Sequence, residues 1–280
     1  MSSSIPEITL NDGISLPAVG FGTYRLNGND GAASIQSAID SGYRLVDTAY
    51  NYENEGAVGE AVRRSSVPRD ELRITSKLPG RYHEYDKAFT SIQESLYRAG
   101  LEYYDLYLIH WPNPKQDMYV EAWQALIDAK QSGLIRSIGV CNFLPEHLER
   151  LEKETGILPS INQIELHPFF NQQDQMAYHK EKGIQTESWS PLARVTNILG
   201  NEVLQEIASR HEKSVSQVVL RWHHQLGTIP IPKSSSPERQ RENKNIFDFS
   251  LEKEEMRMIN EISREDGRLN NQHPATYEEF

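Results

Sequence analysis

The 280-residue sequence carries 29 Lys and Arg against 40 Asp and Glu, a formal net charge of −11. So acidic a chain is a poor coat for nucleic acid or anionic membrane, both of which require a basic face. Its one cysteine, Cys141, excludes an internal disulfide and suits a reducing cytosol; 38% hydrophobic residues suffice for a packed core, and no run approaches the ~18 uninterrupted apolar residues of a membrane helix. The opening MSSSIPEITL has neither a basic region nor an apolar stretch, so no targeting peptide is expected and a cytoplasmic protein is.

In chain order, apolar runs at 8–10 and 14–16 flank Asn11-Asp12-Gly13 and predict a small hairpin. Eight further short runs follow, at 18–21, 44–47, 72–75, 105–109, 137–140, 161–164, 185–189 and 228–231. Between them lie segments of helical period: Phe89, Ile92, Leu96 and Ala99; Trp123, Leu126 and Ile127; Val215, Val218, Val219 and Trp222; and finally Met256, Ile259 and Ile262. Gly42, Gly100, Gly133, Gly183 and Gly227 each close a helical stretch, and Asp86, Ser214 and Ser236 are expected helix starts. Eight strand–helix repeats without a linker or a break in composition predict a (β/α)8 TIM barrel spanning 1–280 as one domain. The residues from about Asp266 lose periodicity and are expected to wrap the surface as a tail.

A doubly wound dinucleotide fold is the competing architecture, and the sequence speaks against it. After Gly20-Phe21-Gly22 the third glycine of the fingerprint would fall at Arg25, and no Gly-Lys-Ser/Thr occurs.

A barrel assembles its site at the C-terminal ends of its strands. There the second run supplies Asp47 and, five residues on, Tyr52; the third supplies Lys77; the fourth supplies His110. Singly, such an Asp is usually a helix cap, such a Lys a surface charge and such a Tyr packing. Four ionisable groups converging on neighbouring strand ends point instead to chemistry. The nine histidines show no ligand spacing, and His223 and His224 are adjacent on a helix and point apart, so no metal is expected.

Three separated motifs carry a resemblance. They are Gly42-Tyr43-Arg44-Leu45-Val46-Asp47-Thr48-Ala49 with Tyr52, Asn54 and Glu55; Asp105-Leu106-Tyr107-Leu108-Ile109-His110-Trp111-Pro112; and Ile231-Pro232-Lys233-Ser234 with Arg239, Glu242 and Asn243. In this order they resemble the aldo-keto reductase family over nearly the whole chain. The segments at 136–143 and 162–168, with Gly267-Arg268 and His273-Pro274, resemble its prokaryotic branch containing 2,5-diketo-D-gluconate reductases.

The resemblance implies an NADPH-dependent carbonyl reductase, usually monomeric, with Asp47, Tyr52, Lys77 and His110 as its catalytic tetrad. Tyr52 would protonate the carbonyl oxygen. A free phenol, with a pKa of about 10, is a sluggish acid, and a cation at ~4 Å is expected to lower that value by about one to three. Lys77 would be that cation, Asp47 would keep it charged and aimed, and His110 would orient the carbonyl. The resemblance further implies that Asn142 and Gln163 bind the nicotinamide carboxamide, that Trp189 stacks on the ring, and that Gly22, Thr23, Ser190 and Leu192 line the ribose and pyrophosphate. Lys233, Ser234 and Arg239 would hold the 2′-phosphate, with Glu242 and Asn243 near adenine. Trp111, Tyr24 and Tyr50 would wall the substrate pocket, and the short segment after Pro112 suggests that this pocket is open.

Cys141 departs from the family, which commonly has serine there. A thiol is the weaker donor, and the residue reads best as a small buried side chain. Two other functions remain open at this point: a regulatory barrel that binds the cofactor without turnover, and an aldolase that uses Lys77 as a Schiff base.

Overall fold

The computed structural model describes residues 5–195 and 197–280. Residues 1–4, the start of the MSSSIPEITL segment in which no targeting peptide is expected, and residue 196 lie outside them.

The hairpin pairs β1 (Glu7–Thr9) with β2 (Ser15–Pro17) in antiparallel register. Eight parallel strands follow: β3 (Phe21–Gly22), β4 (Leu45–Asp47), β5 (Arg73–Leu78), β6 (Tyr104–Ile109), β7 (Ile135–Cys141), β8 (Ile161–Glu165), β9 (Gln185–Trp189) and β10 (Ile229–Pro230). Each pairs with its neighbour in sequence order, the arrangement of a (β/α)8 fold. The two ends of the sheet also meet: Gly20 N–H donates to Pro230 O and Gly22 N–H to Pro232 O, both at 3.0 Å.

Alternation along the strands sorts the core. On β6, Leu106 and Leu108 point inward beside Leu45, Cys141, Ile161 and Ile229, while Tyr107 and Ile109 face the surrounding helices. Leu10 and Leu16 of the hairpin pack into the inner cluster and plug it from the N-terminal side.

The helices are α1 (Gly28–Asp40), α2 (Glu55–Arg64), α3 (Tyr85–Ala99), α4 (Tyr119–Gln131), α5 (Pro145–Thr155), α6 (Gln173–Lys182), α7 (Glu202–Arg210), α8 (Val215–Gln225), α9 (Pro237–Lys244) and α10 (Lys253–Asn260). All five expected terminal glycines have positive φ, from 63° to 112°. Ser214 caps α8 in a reciprocal box with Gln217, and Ser236 accepts from Arg239 N–H at the start of α9.

Three expectations need correction. Asp86 sits in the first turn of α3, whose cap position is Glu84. Ile262 lies beyond the end of α10. The last segment does not simply wrap the surface, because side chains from 277 to 279 turn in against the C-terminal ends of β5 and β6. No helix among the described residues is long and apolar enough to cross a membrane.

Candidate active site

Parallel pairing sets Asp47 at the end of β4 beside β5, whose Lys77 is fully buried. The Lys77 ammonium donates to both Asp47 oxygens at 2.7 and 2.8 Å and to Thr48 O at 2.7 Å. Burial alone would lower the lysine's pKa, but the charges of Asp47 and Tyr52 outweigh it and carry the group above its ordinary value. A short 3₁₀ turn, Tyr50–Tyr52, then folds Tyr52 back over this pair, with Nζ 5.1 Å from the ring centroid. His110, immediately after β6, faces Tyr52 edge-on with ring centroids 6.0 Å apart.

The tetrad is therefore assembled, but the phenol's acidity runs against the expectation. Burial pushes Tyr52 up to about 12; Lys77 pulls downward, while Asp47, Cys141 and Glu279 push upward. The lysine limits the rise without reversing it, because burial of the phenol is the larger effect.

Below the tetrad, Gln163 donates to Asp47 Oδ2 at 2.9 Å and to Glu187 Oε2 at 2.7 Å. Burial, with Asp47 nearby, raises the Glu187 carboxyl to about 8. Cys141 is fully buried in this layer and its thiol is driven upward by burial, as suits a small core residue rather than a nucleophile. Asn142 is held at φ +61°, donating to His110 O at 3.0 Å while its Oδ1 accepts from Trp189 Nε1 at 2.8 Å.

The tetrad floors a cleft of about 1020 Å³. Asp47, Tyr52 and His110 line it, as do Gly22, Thr23, Tyr24, Trp111, Asn142, Gln163, Trp189, Ser190, Leu192, Lys233, Ser234, Arg239, Glu242 and Asn243. Lys77 lies just beneath. Tyr50 is not brought in: its ring packs on Tyr82 at 5.5 Å and under the Arg98 guanidinium at 3.9 Å, outside the cleft. At the far end, Lys233 and Arg239 are exposed beside half-open Ser236 and buried Ser234, and neither cation has a carboxylate partner among the described residues. Glu242 is held there by the Ser214 hydroxyl.

Residues 18–264 match the aldo/keto reductase family. The chain belongs to that family. It is 52% identical over 277 residues to 2,5-diketo-D-gluconic acid reductase B of a Corynebacterium, covering 99% of each protein. It is 43% identical to methylglyoxal reductase DkgA of Escherichia coli, over 92% of this chain and 93% of that one. Among solved structures, a mutant of Gox0644 in complex with NADPH superposes with a TM-score of 0.94 at 40% identity, covering 99% of this chain and all of that one.

Sequence reasoning missed Glu187 and Glu279. Glu187 sits between Thr186 and Ser188 in a largely polar strand, with nothing to single it out. Glu279 lies 169 positions beyond His110, in a stretch without periodicity. Tyr277, whose ring stacks on Trp111 at 4.5 Å, was missed for the same reason.

Proposed function

We propose that this family member reduces aldehyde or ketone carbonyls to alcohols with NADPH, the strands closing into a complete barrel around the tetrad. One observation carries the reading: a buried Lys77–Asp47 pair lies under Tyr52, with His110 facing the same phenol across one cleft.

The residues at the far end of the cleft suit the cofactor. Lys233 and Arg239, cationic and without a carboxylate partner among the described residues, with the Ser234 hydroxyl, have the donor chemistry for a 2′-phosphate. Asn142, Gln163 and Trp189 would hold the nicotinamide end. NADPH, when bound, supplies the hydride to the carbonyl carbon.

Everything else falls to the chain. Tyr52 delivers a proton to the carbonyl oxygen as charge develops there. Lys77 stabilises the phenolate left behind, an effect that grows as the negative charge appears on Tyr52. Asp47 fixes the ammonium, and His110 aims the oxygen at the phenol. The wall made by Trp111 and Tyr277 brings an apolar surface to the substrate, while Tyr24, 5.1 Å from Tyr52, borders the opposite side.

The aldolase reading is disfavoured by the lysine itself. A buried ammonium raised above its ordinary pKa and donating three hydrogen bonds is no free amine nucleophile. The test of reduction is NADPH oxidation with an activated aldehyde. Tyr52→Phe is expected to lose about 10²–10⁴-fold in kcat with NADPH binding intact; an unimpaired variant overturns the assignment.

A further inference from the structure

Glu187, which the mechanism leaves idle, is a fully buried carboxyl in the middle of β9. Parallel pairing sets it beside Gln163 of β8, whose Nε2 donates to its Oε2 at 2.7 Å. Its Oε1 has no hydrogen-bond partner among the described residues. Taking a carboxyl out of water is costly, and a single hydrogen bond offsets little of that cost. Packing therefore does not account for a glutamate here.

Its partner does. The same Gln163 Nε2 also donates to Asp47 Oδ2 at 2.9 Å, on the carboxylate that holds Lys77. A primary amide carries two hydrogens on nitrogen and one acceptor oxygen. With two acceptors beneath it, Gln163 spends one hydrogen on each carboxyl. Turning the amide over would set its oxygen against the Asp47 carboxylate, which has no hydrogen to give. Gln163 lines the cleft, and Oε1 is what it has left to offer there.

Asn142 is its neighbour, with its backbone N–H donating to Gln163 O at 3.0 Å. The Asn142 Nδ2 gives one hydrogen to His110 O and keeps the other. The two side chains thus retain one donor and one acceptor on the same cleft, the complement of a carboxamide.

We propose that Glu187 is a positioning residue for the cofactor: by taking the second Nε2 hydrogen it locks the Gln163 amide with Oε1 free, so that the site accepts from the carboxamide N–H of the nicotinamide and favours a primary amide there. The proposal rests on the NADPH reading above. With Asp47 as its one acceptor, Gln163 would be free to rotate and offer an N–H to the cleft as readily as its oxygen. Glu187 removes that choice.

The test compares two cofactors on the full-length protein, NADPH and its 3-acetylpyridine analogue, which keeps the carbonyl but replaces the amide nitrogen with a methyl group. Dissociation constants are read from quenching of protein fluorescence, without turnover. The wild type is expected to bind the analogue about 10- to 100-fold more weakly, because Oε1 is left without a donor. In Glu187→Met, of similar size and without an acceptor, that ratio is expected to fall to within about threefold, since the freed amide then serves the analogue's carbonyl. Glu187→Gln keeps an acceptor and is expected to keep the discrimination. The affinity for 2′-phospho-ADP-ribose, which has no nicotinamide, is expected to stay within about twofold in both variants. Should the methionine variant not fold, Glu187→Leu takes its place.

A wild type that binds the two cofactors within threefold of each other overturns the proposal by itself. So does an acceptor-free variant with the wild-type ratio, or a glutamine variant that loses discrimination as fully as the methionine one. Binding requires no reaction. A wild type that discriminates as expected but reduces no carbonyl therefore sinks the reaction assignment and leaves the role of Glu187 standing.

Discussion

The two ends of the cleft are built on opposite electrostatic principles. At the tetrad every charge is answered from within: Lys77 by Asp47, and Asp47 again by Gln163. At the far end Lys233 and Arg239 stand exposed and unanswered among the described residues. The first arrangement is organised before any ligand arrives, which suits groups that must meet a transition state in fixed geometry. The second gains its partner only on binding, which suits recognition of an anion. The cations proposed for catalysis and those proposed for cofactor binding are thus distinguishable by burial and by partner.

The comparison breaks most severely at Lys77. Lys77→Met leaves the Asp47 carboxylate buried without its cation, and removing one member of a buried pair costs about 3–5 kcal/mol. Thermal unfolding is expected to show that loss directly. Turnover is expected to fall between about a hundred- and ten-thousandfold, because the phenolate form of Tyr52 loses its support. A stable, active variant would mean that the buried end is not organised around this pair.

At the exposed end the same kind of deletion should act quite differently. Lys233→Ala and Arg239→Ala are each expected to raise the KM for NADPH about 10- to 100-fold, the worth of one charge-assisted hydrogen bond, with melting temperature nearly unchanged. The KM for NADH, which has no 2′-phosphate, is expected to stay within about twofold. Raising the salt concentration should weaken NADPH binding in the wild type and do so less in the variants.

This contrast also marks how much was legible in the sequence. Asp47, Lys77 and His110 follow short apolar runs, so strand order alone placed them together; the cations of 233–239 stood out against an acidic background. Tyr50 did not separate from Tyr52 in the sequence, because both sit in one tight turn and only the fold shows that one ring faces Arg98 and the other the cleft. The phenol's acidity was misjudged because charge and burial act with opposite signs and a sequence displays only the charge. Glu279 was invisible, since its contacts join segments unrelated by any period.

Glu187 sharpens the buried half. Its carboxyl keeps a proton up to about pH 8 in the fold, whereas an unperturbed one releases it near 4.5. The folded-state pKa is the higher, so this group's stabilisation is complete below pH 4.5 and is lost as pH rises through 8. Melting temperature is therefore expected to fall between these limits, and Glu187→Gln, which has no charge to gain, to flatten the fall by a few degrees.

The smallest effect is expected at Cys141. Its thiol is fully buried in the inner cluster with Leu108 and Ile161, on the layer that carries Asn142 and Gln163. Cys141→Ser replaces a small apolar group with a hydroxyl that must find an acceptor in that layer, a cost of about 1–3 kcal/mol if it does not. If the nicotinamide end is complete within the protein, the hydroxyl adds nothing for the cofactor to use, and the KM for NADPH should stay within about twofold while melting temperature drops slightly. A tenfold tighter KM would instead show that this end, like the phosphate end, holds donors in reserve for its ligand. Steady-state kinetics on this single variant, beside its melting curve, decides between the two.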